Sequence, residues 1–199
     1  MHLESMQRHL GVISIFGEPA PIIALVALLG INLALTLVHV AEEYKGRLWR
    51  YFGGIAGVEI PDWLGIPSFT VLLTLVLWAV GFAGIAGVVP FAHAAPGEQW
   101  GVGAVGALIG GRLSDGLFSH LLLRKKYSPN PGIRSVPYYF AEALVLTVLF
   151  LPGLRRHVVW AAAGFGIGFL AFWVILPLLR PFRKREPWKP GTPRPDWAR

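Results

Sequence analysis

From Pro21 to Val40 the chain carries no Lys, Arg, Asp or Glu, and the same holds from Ser68 to Ala92. An apolar run of ~20 residues is long enough to cross a bilayer as a helix. Lipid offers the backbone no hydrogen-bond partners, so a chain made of such runs has little choice but to fold into helices. Only 15% of the 199 residues are charged, while 54% are hydrophobic; soluble domains carry ~25% charge. The expected fold class is all-α, a polytopic transmembrane helical bundle of about five spans. The sequence places them near Pro21–Val40, Ser68–Ala92, Trp100–Leu123, Ser135–Leu151 and Val158–Leu179.

This divides the chain into an N-terminal interfacial segment (1–20), a five-helix transmembrane domain (21–179) and a basic tail (180–199). Leu10–Phe16 is apolar but too short to span. The tail, with Pro181, Pro187, Pro190 and Pro193, is expected to be extended or disordered. The third span is rich in glycine, including Gly103, Gly106, Gly110, Gly111 and Gly116, and small residues let transmembrane helices approach closely. Arg112 and Asp115 stand i, i+3 within it and are expected to pair. Pro137 falls in the first turn of span four, where a missing N–H is tolerated, and Pro152-Gly153 is expected to end it.

With five spans, Lys and Arg outside the spans divide three against fourteen between the two sides, the larger share lying with Lys45, Arg124 and the tail. The positive-inside rule then gives an N-out, C-in multi-pass protein of the cell membrane. The net charge of +7 is read as membrane-surface charge, and a nucleic-acid partner is not expected. There is no cysteine, which excludes disulfides and thiolate chemistry.

At the cytoplasmic end of span one stand His39, Glu42 and Glu43, at i, i+3 and i+4. Asn32 and Thr36 precede His39 at helical spacing, so a polar stripe enters the apolar segment. Polar groups are costly in a span and usually face a bundle interior. His120 ends span three on the same side, and Glu142 lies ~10 Å into span four at 1.5 Å per residue. Imidazole and carboxylate are ligands of zinc, iron and manganese. Helical bundles hold such ions with carboxylates and Glu-x-x-His pairs. His39, Glu42, Glu43, His120 and Glu142 are thus candidate ligands for one or two divalent ions. Glu42 is also a candidate general base, and Tyr127 a candidate catalytic tyrosine.

His39-x-x-Glu42-Glu43, the later His120, and Tyr127 ahead of Pro131-Gly132 resemble the HXXEE family of small bacterial integral membrane proteins. Its motifs are H-x-x-E-E, a further histidine and Y-x-P-G. Here the last reads Tyr127-Ser128-Pro129-Asn130-Pro131-Gly132, two residues longer before the glycine. The resemblance implies motif residues and no reaction.

The functional expectation is a membrane-embedded metal-dependent hydrolase or oxidoreductase acting on a lipid-like or isoprenoid-like substrate from the bilayer. The alternatives are a metal-free, isomerase-like proton-transfer enzyme and a transporter or binding protein for ions or small lipids.

Overall fold

The structure, a computed structural model, describes residues 12–15, 18–66 and 97–199. The expected second span, Ser68–Ala92, lies outside the described residues. The chain is predominantly helical. Its first described element is not helical: β1 (Val12–Ile15) pairs antiparallel with β2 (Glu18–Pro21), Val12 opposite Pro21 and Ile15 opposite Glu18. Of the short apolar patch near the N-terminus, Val12–Ile15 form one strand of a ribbon.

Six α-helices follow among the described residues: α1 (Ile22–Lys45), α2 (Leu48–Ala56), α3 (Asp62–Ile66), α4 (Gly97–Ser114), α5 (Val136–Arg156) and α6 (Val158–Leu179). α1 runs five residues beyond Val40, so His39, Glu42 and Glu43 are all helical. α5 begins with Pro137 in its first turn, as expected, but continues through Pro152 to Arg156. Pro152 forfeits its own N–H bond, and the last turn closes with His157 N–H donating to Gly153 O at 2.9 Å. Pro177 lies inside α6. Beside it the helix bends by 45° between Val158–Ala171 and Leu176–Phe182, as a ring clashing with the preceding turn requires.

α4 is the central helix. One face, Val102, Val105, Leu108 and Ile109, packs on Ala143, Leu146, Leu149 and Phe150 of α5. The opposite face is glycine, and there α4 meets α6 backbone to backbone. A Cβ on Gly110 would strike Phe165 O, and one on Gly164 or Gly168 would strike the main chain of Gly103 or Ala107. Ser114 Oγ ties the same pair by donating to Phe169 O at 2.6 Å. The expected role of the span-three glycines, close helix approach, is what the packing uses.

One described helix, Ile133–Arg156, is long and apolar enough to cross a membrane, and α6 joins it if its bent halves count as one crossing. Large apolar side chains stand on the outside of the helices: Val159 is 75% exposed, Ile167 70%, Leu144 63% and Leu37 58%.

The tail departs from expectation. Instead of running free, it lies across α2. Lys184 and Arg185 N–H donate to Gly57 O at 3.0 Å, and Trp188 N–H donates to Gly54 O at 2.8 Å. Trp188 is buried edge-on against Tyr51, centroids 5.6 Å apart, and against Tyr127 at 5.1 Å. Gly57 has φ 74°, and a Cβ there would meet Arg185 O at 2.5 Å, so glycine serves both the turn and the docking.

Candidate metal centre

Asn32, Thr36, His39 and Glu43 form one buried stripe along α1. They are spaced so that each falls near the face of the last. The stripe faces Tyr139 and Glu142 of α5 and Arg112 of α4. Beyond Ser114 the α4 helix continues as a π-helix, Asp115–Leu122. In an α-helix, residues five apart point ~140° away from each other at 3.6 residues per turn. In π winding, where i bonds to i+5, they come close to one full turn. Asp115 and His120 therefore share a face, and that face looks at Glu43.

The result is two adjoining clusters. In the first, Glu142 is fully buried. One carboxylate oxygen, Oε1, is bound to His39 Nδ1. The other, Oε2, accepts from Thr36 Oγ1 at 2.8 Å and from Arg112 Nε at 2.8 Å. Arg112 Nη1 lies 3.5 Å from His39 Nε2, and Asn32 Nδ2 donates to the Glu142 carbonyl at 3.3 Å.

In the second, His120 Nε2 stands 3.6 Å from Glu43 Oε1 and 3.7 Å from Asp115 Oδ1. Glu43, Asp115 and His120 are all buried, and each offers one ligand atom within 4.8 Å of the others. Asp115 Oδ1 is buried without a hydrogen-bond donor among the described residues. Tyr139 joins the clusters. Its ring stacks on His39 at 4.4 Å and on His120 at 5.3 Å, and its hydroxyl lies 3.2 Å from His120 Nε2.

The other imidazole nitrogen is set by Asn130. The amide nitrogen of Asn130 faces three acceptors, Ser119 O at 2.7 Å, His120 O at 3.2 Å and Tyr51 Oη at 3.1 Å. Its oxygen must then be the atom 3.0 Å from His120 Nδ1, and it can only accept. A neutral His120 so carries its proton on Nδ1 and its lone pair on Nε2, aimed at the two carboxylates. Burial pushes the Tyr51 phenol above its ordinary range. It stays a hydroxyl and donates on to Tyr127 O at 2.9 Å.

Of the residues singled out by sequence, His39, Glu43, His120 and Glu142 meet in this region. Only Glu43 and His120 fall in the group of converging ligand atoms; His39 and Glu142 bind each other and Arg112. Glu42 is turned aside and accepts from Ser135 Oγ. The Tyr127 ring packs against Trp188, outside both clusters. Arg112, expected to pair with Asp115, pairs with Glu142 of another helix.

Sequence reasoning missed Asp115 as a ligand, along with Tyr139 and Asn130. Tyr139 was open to discovery: it stands three residues before Glu142 on one helix face. No family model, curated protein or solved structure matches the chain.

Proposed function

We propose that this chain is a membrane-embedded, metal-dependent enzyme whose divalent ion is held by Glu43, Asp115 and His120. The observation that carries the reading is the convergence of three buried acceptor atoms on one point. At 3.6 and 3.7 Å the contacts are too long for hydrogen bonds. They suit atoms sharing an ion, since ligands ~2.1 Å from a tetrahedral centre lie ~3.4 Å apart. The Asn130–His120 contact strengthens the case. Metal-binding histidines characteristically give their other N–H to an acceptor that fixes the ring. Zinc, iron(II) and manganese suit this donor set. Tyr139 Oη, 3.2 Å from the ligating nitrogen, takes the role of proton donor or hydrogen-bond partner to a reacting oxygen.

The apolar outer surfaces of α1, α5 and α6 favour a bilayer setting, with five crossings and the site in the cytoplasmic leaflet. A substrate reaching the site between such helices is itself lipid-like or isoprenoid-like. The test is metal content by inductively coupled plasma mass spectrometry of protein purified in mild detergent, beside folded Asp115→Asn and His120→Ala variants. Zinc, iron or manganese in the wild type, lost from both variants, is the expected result. A metal-free wild type, or metal indifferent to both changes, sinks the proposal.

A further inference from the structure

The cluster beside the proposed metal site has the donors of a second metal site, yet a cation already stands there. Helical bundles rich in carboxylate and imidazole often take two ions bridged by a carboxylate. A second ion here would need Glu142 Oε2 and His39 Nε2. Both face the same guanidinium: Arg112 Nε is 2.8 Å from the first and Arg112 Nη1 is 3.5 Å from the second. The remaining Glu142 oxygen is held by His39 Nδ1, and Thr36 completes the carboxylate's set.

Withdrawing Arg112 would leave the buried Glu142 carboxylate without its cation. Glu142 is already ion-paired with Arg112, so the carboxylate oxygen a second ion would need is matched by a cation. The other half has two carboxylates and one imidazole, which match a single doubly charged ion.

We infer that Arg112 is a built-in second cation and that the centre takes one divalent ion. The inference rests on the metal-centre reading and narrows it to a class of chemistry. One ion with three protein ligands keeps a coordination position open, and such a centre works as a Lewis acid, activating water or polarising a substrate oxygen. Chemistry that requires two metals has no place for the second. His39 and Glu142, which look like ligands in the sequence, are then positioning groups in the wall of the site.

The test is metal stoichiometry and affinity, the latter by competition with a chromophoric zinc chelator. It compares the wild type, His39→Ala, the double variant Arg112→Gln with Glu142→Gln, and Glu43→Gln. The double change removes both charges together, so no lone charge is stranded. One equivalent is expected in the first three, with affinity altered by less than ~10-fold, the low end for supporting groups. Glu43→Gln removes a ligand and is expected to weaken binding by ~100-fold or more. Two equivalents in the wild type overturn the inference, as does loss of the ion from folded His39→Ala. If the double variant fails to fold, His39→Ala and the wild-type count still decide. No ion in the wild type overturns the metal-centre reading and this inference with it. One ion in the wild type that His39→Ala loses overturns the inference alone.

Discussion

Asp115 and His120 lie five residues apart on a stretch of π-helix, and the wide winding brings both side chains to one buried point opposite Glu43. Such segments recur at functional sites because they re-aim side chains without ending the helix.

Changing the residue count tests this relationship. Deleting Leu117 leaves Asp115 and His120 at i, i+4, which an α-helix places on one face. Metal binding is expected to survive that deletion. Inserting one alanine after Leu117 sets them six apart, ~120° from a common face at 3.6 residues per turn, and metal binding is expected to vanish. Circular dichroism checks that both proteins remain helical, and metal analysis gives the outcome.

Asn130 and Gly132 set the imidazole. Asn130→Ala removes the acceptor on His120 Nδ1 and is expected to weaken metal binding ~10–100-fold, the usual cost of losing a ligand's supporting partner. Gly132 has φ 81°, and a Cβ there would sit 2.5 Å from His120 Cε1. Gly132→Ala is therefore expected to lower both the melting temperature and the affinity. Chelator competition and thermal unfolding in detergent measure the two effects.

The α4–α6 contact predicts a contrast between two glycines two residues apart, on opposite faces of α6. Gly164→Val forces a branched side chain into the Gly103 main chain and is expected to cost ~3 kcal/mol or more, the upper range for overpacking. A Cβ on Gly166 meets nothing within 4 Å, so Gly166→Ala is expected to be neutral or to stabilise by up to ~1 kcal/mol through helix propensity. Denaturation of the two variants in the same detergent distinguishes them.

Asp62 makes a pH prediction. Arg50 holds it by Nε and Nη2, each at 2.8 Å, and Trp49 Nε1 donates to it at 2.8 Å. The Arg50 hydrogen bonds, then that of Trp49, hold its carboxyl below the ordinary value of 3.8. A depressed folded pKa means that the stabilisation is present above the unfolded value and is lost as pH falls through the folded one. Asp62→Asn is expected to lower the melting temperature at neutral pH. The gap from wild type is expected to narrow as pH drops below about 4. A gap independent of pH would refute this account.

Much of this was legible in the residues, and the failures have physical causes. α6 begins and ends where its uncharged run does, Val158–Leu179, and the extension of α1 through Glu43 follows from unbroken helix-forming residues. The burial of Glu142 was readable from a lone charge in an apolar helix. Arg112 was a candidate partner in the sequence, but Asp115, three residues away on the same helix, competed for it, and only the packing of α4 on α5 decides for Glu142. Asp115 was hidden for a different reason: α-helical spacing turns it away from His120, and nothing in the composition signals π winding. The tail reads as solvated from its prolines and basic residues. The notch between Tyr51 and Tyr127 that accepts Trp188 exists only once α2 and the 127–132 loop have come together.

The Arg112–Glu142 ion pair also bears on how the protein is made. In a bilayer, a lone arginine near a helix centre costs ~2.5–3.5 kcal/mol on insertion scales, and its carboxylate partner is synthesised thirty residues later. In the proposed bilayer setting, helix α4 would gain its stable place only when α5 arrives with Glu142 to neutralise Arg112. Under that proposal nascent α4 would wait beside the insertion machinery until that moment, and the two helices would enter lipid as a pair.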